Sequence, residues 1–523
     1  MLQINDLKLT HRKDLRVILE DFNVVLNDGD KAVIIGEEGN GKSTLIKWIF
    51  NPELIEDYVE AEGRRIFGNE RLGYLPQELP TSDKEKTVYE FFSEEEMFFD
   101  KTPKDLATLS KNFGVEQEFF YRDQKLKTLS GGEKIKAQLM RILMTEPTVL
   151  LLDEPSNDID INTLELLEKV INDWKKIVLF VSHDETLIEN TANMVIHIEQ
   201  IMRKTVSRYT VAKLSYKLYI EERLHNFELQ EQRALSDRRE KKIRDEKYRR
   251  ILQSVNRAQT TVGSANIADL ADRMQAARNL KDKMHTVKAM GKRFEREDEN
   301  MTQMPEYEEA IYFRLGDKDS KIPAGKTVIE YELPKLTVPT DDGERVLAED
   351  IFLRIKGAEK VGIVGANGAG KTTLIKKMAA SMLKRTDIKA EYMPQDYEDL
   401  LNLDVTPIDF LDKSHDKEER TRIRTFLGSL KYTVDEMDHP IRELSGGQKA
   451  KVLLLKLSMS GANVLILDEP TRNFSPLSGP VIRKMIAEFP GAVISISHDR
   501  KYIDEVCETV YELDSSGLKK LEK

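Results

Sequence analysis

One cysteine, Cys507, stands in 523 residues, so no disulfide can form within the chain and a reducing compartment is expected. No run approaches the ~20 apolar residues that span a bilayer. Met1-Leu2-Gln3-Ile4-Asn5-Asp6 lacks the basic-then-apolar layout of a secretory signal, so a cytoplasmic protein without a membrane domain is expected. A net charge of −11 argues, taken alone, against a nucleic-acid binder. What is present, 40% hydrophobic and 33% charged residues, suits roughly two to four soluble domains with charged exteriors.

The chain repeats itself. Gly36-Glu37-Glu38-Gly39-Asn40-Gly41-Lys42-Ser43 and Gly365-Ala366-Asn367-Gly368-Ala369-Gly370-Lys371-Thr372 both fit G-x-x-x-x-G-K-[ST]. Each follows an apolar strand-like run and precedes a helical pattern opening at Thr44 or Thr373, the strand-loop-helix context of a phosphate-binding loop. Glycines let backbone N–H groups close on phosphate oxygens, and the helix N-terminus favours the anion. Lys42 and Lys371 are expected to reach the β- and γ-phosphates of ATP, and Ser43 and Thr372 to coordinate Mg²⁺. Ser130-Gly131-Gly132-Glu133 and Ser445-Gly446-Gly447-Gln448 form a second pair; alone, each reads equally as a helix N-cap. Twenty-three residues after each serine, an apolar run ends in Asp-Glu-Pro, at Asp153-Glu154 and Asp468-Glu469; thirty further on stand His183 and His498. Identical intervals mean duplicated domains.

These motifs resemble those of the ABC ATPase superfamily over about four-fifths of the chain. The resemblance implies an α/β fold with two P-loop nucleotide-binding domains. It implies that Asp153 and Asp468 hold Mg²⁺, that Gln77 and Gln395 sense metal and γ-phosphate, that Glu154 and Glu469 polarise the attacking water, and that His183 and His498 contact the γ-phosphate. It also implies composite sites. Ser445, Gly446 and Gly447 complete the first, and Ser130, Gly131 and Gly132 the second. Three departures stand out. The turn after the second Asp-Glu-Pro lacks the terminal aspartate that the first has at Asp160, so unequal hydrolysis is expected. No aromatic residue upstream of either loop offers to stack on adenine. Eleven more residues separate Lys42 from Gln77 than Lys371 from Gln395.

Between the domains the chain turns polar and proline-free. Ile267, Leu270, Met274, Ala277, Leu280, Met284, Val287, Met290 and Phe294 recur at helical spacing, and a second long helix is expected from about Val211 to Val255. Gln259–Asn266 reads as the tip of a hairpin. From Arg238 to Arg257 nine basic residues face three acidic ones. Such a run is ordinarily a solvated helix face. On a hairpin projecting from an ATP-driven clamp, Lys241, Lys242, Arg244, Lys247, Arg249, Arg250 and Arg257 are expected to meet RNA phosphates. The expected divisions are 1–203, 204–300 and 301–523, with a helical hairpin linker between two ABC domains.

This arrangement resembles the ABC-F family. The resemblance implies a monomer that binds the ribosome, its linker near the peptidyl-site tRNA and the peptidyl-transferase centre. The long linker and the short Gln77-to-Ser130 interval look more like the branch that protects ribosomes from lincosamides, pleuromutilins and streptogramins A. A general translation factor and the tandem ATPase subunit of an importer remain alternatives.

Overall fold

The computed structural model describes residues 1–157, 159–201, 205–264, 270–305, 313–316, 320–340, 343–412 and 416–522. They form two compact units, Met1–Tyr216 with Glu308–Lys523, and Lys217–Tyr307.

The first unit holds two copies of one α/β plan. In the first copy β1 (Leu2–His11), β2 (Val17–Leu26), β3 (Lys31–Ile35), β4 (Val59–Ile66), β5 (Leu72–Leu75), β6 (Val149–Asp153), β7 (Ile177–Val181), β8 (Met194–Ile201) and β9 (Val206–Ala212) make two sheets. One is antiparallel, in the order β2-β1-β4. The other runs β5-β6-β7-β3-β8-β9, parallel except at β8–β9. The second copy comprises β10 (Thr327–Thr340), β11 (Gly343–Lys356), β12 (Lys360–Val364), β13 (Ala390–Met393), β14 (Val464–Asp468), β15 (Ala492–Ile496), β16 (Thr509–Asp514) and β17 (Gly517–Leu521). Its main sheet repeats the order as β13-β14-β15-β12-β16-β17. The central strands β6, β7, β14 and β15 are buried at every residue, as parallel strands covered on both faces must be.

β4 accounts structurally for the extra residues after Lys42. It adds a third strand to the small antiparallel sheet, where the second copy has, among the described residues, the β10–β11 pair. Arg65 on β4 reaches the helix that follows the first P-loop, donating to the carbonyls of Trp48, Ile49 and Phe50. That satisfies orphan acceptors at a helix C-terminus.

The second unit pairs two long helices, Tyr216–Ser264, which reaches into it from its first residue, and Leu270–Glu299. Its apolar seam follows the expected stripe from Leu280 to Phe294: Val287 is buried and Leu280, Met284, Met290 and Phe294 are half-buried. Met274 departs from it at 61% exposed. Tyr248 meets Phe294 edge-on at 5.8 Å. Two expectations need correcting. The segment from 204 opens not with helix but with β9, whose alternation along Val206–Ala212 pairs it to β8. The helix starts at Tyr216 and runs on through Gln259–Ser264, because three threonines or valines and one glycine only weaken a helix this long. Residues 265–269, including Ile267 of the stripe and the rest of the expected tip, lie outside the described residues. Among the described residues no helix is long and apolar enough to cross a membrane.

Candidate nucleotide sites

Parallel strands deliver their C-terminal ends to one edge of a sheet, where α/β proteins bind ligands. At that edge β3 passes into the first P-loop and α1 (Lys42–Phe50), while β12 passes into the second and α2 (Lys371–Met382). Gly36 and Gly365 approach the neighbouring backbone so closely that a Cβ would lie 2.2 Å from the Ile198 carbonyl oxygen and 2.5 Å from that of Leu513. Asn40 ties its loop to Ile198 O at 3.0 Å. Gly39, Gly41, Gly368 and Gly370 are left-handed, turning the loop so that each helix starts at its lysine. Lys42 Nζ donates to Gly36 O and Glu37 O at 3.0 and 3.1 Å, and Lys371 Nζ to Gly365 O and Ala366 O at 2.8 and 3.0 Å. Thr44 and Thr373 lie in the first turns.

The remaining predicted residues of the first site converge here. Ser43 Oγ donates to Asp153 Oδ1 at 2.7 Å, and Gln77 Nε2 to Glu154 Oε2 at 3.0 Å. His183 Nε2 lies 3.2 Å from Glu154 Oε1. In the second site Lys371, Thr372, Gln395, Asp468, Glu469 and His498 line one cavity of about 230 Å³. Glu154 and Glu469 share a left-handed backbone, φ 50° and 54°, held by their N–H bonds to Val181 O and Ile496 O. A strained non-glycine conformation at the same position of both copies marks a functional constraint.

The Ser-Gly-Gly turns are N-caps in the plain sense. Ser130 and Ser445 cap helices Gly131–Met144 and Gly446–Ser460, each through a full capping box. They also face the opposite copy's P-loop. Ser130, Gly131 and Glu133 share a cleft of about 1060 Å³ with Asn367, Gly368, Thr372 and Gln395. Ser445, Gly447 and Gln448 share one of only about 30 Å³ with Glu37 and Glu38. Gly132 packs on Thr163 and Gly446 near Asn473.

The two sites differ electrostatically. Burial would raise Glu154, but the His183 charge, its hydrogen bond and Lys42 pull the carboxyl down to about 2. Burial, aided by Asp468, pushes Glu469 up to about 8. Burial, then Lys371, lowers His498 to about 4. Asp160 accepts N–H bonds from Thr163 and from Asn367 of the opposite loop. At the corresponding turn of the second copy, Phe474 instead gives its carbonyl to His183 Nδ1 at 2.7 Å. Two residues outside the predicted sets also belong to the sites: Asn157, which donates to Glu154 Oε2 at 2.5 Å, and Arg472, which lines both clefts of the second site. Neither sits in a motif that names a chemistry.

Asp153 and Asp468, both buried, are each raised to about 6 with burial as the first cause. Asp153 Oδ2 meets no hydrogen-bond partner among the described residues, beside the Ser43 hydroxyl. A buried carboxylate oxygen lacking a proton donor, next to a hydroxyl, suits Mg²⁺, and in the second site Asp468 shares its cavity with the Thr372 hydroxyl and the Gln395 amide.

The contrast between the glutamates gives a pH prediction for nucleotide-free protein. Glu469 lies above its ordinary 4.5, so its contribution is complete below about pH 4.5 and is lost as pH rises through about 8. Glu154 lies below 4.5, so its contribution is present above about pH 4.5 and is lost as pH falls through about 2. Thermal scans should find Glu469→Gln gaining on the parent between about pH 5 and pH 8. Glu154→Gln should lose stability at neutral pH.

Two P-loop sites, each assembled at the edge of one copy and faced by the Ser-Gly-Gly helix of the other, define a tandem nucleotide-binding protein of the ABC type. The model of the family described as ABC transporter matches residues 19–157 and 348–472, and the chain belongs to this family, within its ABC-F group. It is 27% identical to the ribosome protection protein VmlR of Bacillus subtilis, over 97% of this chain and 85% of that one. It is 25% identical to the energy-dependent translational throttle protein EttA of Haemophilus influenzae, over 96% and 90%. Among solved structures, the archaeal ribosome recycling factor aABCE1, in complex with the stalk protein aP1, shares the fold. Its TM-score is 0.59 at 18% identity, covering 99% of this chain and 90% of that one.

Proposed function

We propose that the chain is a cytoplasmic, monomeric ATPase that binds the ribosome, closes its two ABC domains on ATP, and so sets its helical linker near the peptidyl-site tRNA and the peptidyl-transferase centre. Within that reading it protects translation from drugs of the lincosamide, pleuromutilin and streptogramin A type. The observation that carries the ATPase part is the pairing of each P-loop with the opposite Ser-Gly-Gly helix inside one chain. VmlR, a ribosome protection protein, and EttA, a translational throttle, support the ribosome as partner, and VmlR supports protection.

In the proposed cycle Lys42 and Lys371, with the loop N–H groups, hold the phosphates. Glu154 and Glu469 orient the water, His183 and His498 meet the γ-phosphate, and the opposite serine and glycines close over it. Mg²⁺ held by Ser43, Asp153 and Gln77, and by Thr372, Asp468 and Gln395, would supply charge neutralisation. Phosphoryl transfer needs little beyond positioning and electrostatics, which these groups provide.

The linker's basic residues divide into two sets. Arg244 donates to Glu297 at 3.0 Å and to Asp298, lies over Phe294, and is only 19% exposed; Lys241 pairs with Asp298 at 2.8 Å. These two hold the helices together. Lys242, Lys247, Arg249, Arg250 and Arg257 are exposed. Replacing Lys242, Lys247, Arg249 and Arg250 with glutamine is expected to weaken ATP-dependent pelleting with ribosomes and to flatten its salt dependence by about 0.7–0.9 per lost phosphate contact. Arg244→Met should instead lower the helical pair's stability. Pelleting that ignores the four substitutions at every salt concentration would remove the RNA role from this helix.

A further inference from the structure

The first P-loop carries two carboxylates where the second has none: Glu37 and Glu38 stand where the second loop has Ala366 and Asn367. Both glutamates reach across to the other ABC domain. Glu38 Oε2 accepts the N–H of Gly447, in the first turn of the helix Gly446–Ser460. Glu37 Oε1 pairs with Lys451 Nζ of the same helix at 3.0 Å, where Lys451 is 14% and Glu37 18% exposed. A Cβ on Gly447 would lie 2.9 Å from Glu38 Oε2, so the carboxylate is seated directly on the glycine turn. The space between the two surfaces has shrunk to about 30 Å³, against about 1060 Å³ between the second P-loop and its Ser-Gly-Gly helix.

The seat is one for an anion. Unpaired N–H groups and the helix dipole draw negative charge to a helix N-terminus, whether carboxylate or phosphate. We infer that Glu38, braced by Glu37 and Lys451, is an internal stand-in for the γ-phosphate at the first site and determines the order in which the two sites fill. An incoming triphosphate meets an occupied seat and two like charges in the loop that must wrap it. The second site presents an open cleft and the uncharged Ala366 and Asn367. ATP therefore fills the second site first. The first site accepts it only as Glu38 leaves Gly447, which links first-site binding to domain rearrangement. This inference rests on the ATP reading above.

The test uses the full chain and a fluorescent ATP analogue. Lys371→Ala silences the second site, and in that background Glu38→Asn, which copies the second loop, should tighten binding at the first site by about tenfold or more, within the usual range of coupling between sites. Glu37→Ala should act in the same direction. In the reciprocal Lys42→Ala background, Glu38→Asn should leave second-site affinity unchanged. Without nucleotide, Glu38→Asn should also speed hydrogen exchange at residues 445–448. Equal first-site affinities and unchanged exchange would overturn the stand-in and leave the ATP reading intact. Nucleotide binding by no variant and not by the parent, with exchange still faster in Glu38→Asn, would overturn the ATP reading and the filling order with it.

Discussion

Replacing Glu154 and Glu469 together with glutamine is expected to slow ATP hydrolysis by about 100- to 10,000-fold while ATP still binds. The size follows from what the change removes. Glutamine keeps the shape and an oxygen acceptor but cannot polarise a water as an anion does. The groups proposed to hold the phosphates, Lys42, Lys371 and the loop amides, are untouched. The two substitutions should not be equivalent. Glu154 is ionised, hydrogen-bonded by Gln77 and Asn157, and paired with His183. Glu469 is pushed up to about 8 by burial and has Arg472 where Glu154 has Asn157. In nucleotide-free protein the two glutamates therefore start in different protonation states at neutral pH, and the single variants are expected to differ in size of effect. Single variants measured by phosphate release and by equilibrium binding separate the two contributions.

The second large effect is expected at Arg483. This side chain is 3% exposed and joins the two ABC domains. Its Nη2 donates to Glu185 of the first at 2.8 Å, and its Nε to Glu505 of the second at 2.7 Å, with Asp499 at 4.0 Å. Around it the first domain supplies acid and the second supplies base: Arg500 meets Glu168 at 2.5 Å and Lys501 meets Glu189 at 2.6 Å. Arg483→Ala strips a buried cation from two carboxylates and is expected to cost about 3–5 kcal/mol in urea unfolding. Lys501→Ala, at a wetter edge of the same cluster, should cost no more than about 1 kcal/mol. Equal losses would mean that the cluster acts as a diffuse charge field rather than through the planar guanidinium.

Most of the residues that the structure gathers at the two candidate sites were legible in the sequence, because phosphate chemistry demands particular residues at short, fixed offsets. The glycines of the loops, the paired lysines and the Asp-Glu steps are local features, and two copies at equal intervals removed ambiguity. Contacts made over hundreds of residues were not legible. Nothing near Glu38 in sequence announces Gly447, 409 positions away, and nothing near His183 announces the Phe474 carbonyl. β9 is not legible because Arg208 and its polar neighbours merge with the charged linker composition, hiding an alternation only seven residues long. The helix end is obscured for the opposite reason. Weak helix formers at Thr260–Gly263 suggested a break, yet 49 residues of helix continue through them, since propensity is a small term beside an established long helix.

The most direct test of the central claim is sedimentation of the Glu154→Gln, Glu469→Gln protein with ribosomes, with and without ATP, at physiological salt. ATP is expected to drive this variant into the ribosome pellet and to hold it there far longer than the parent, because the closed clamp cannot reopen by hydrolysis. A variant that binds ATP but remains in the supernatant, or leaves ribosomes as fast as the parent, would contradict it.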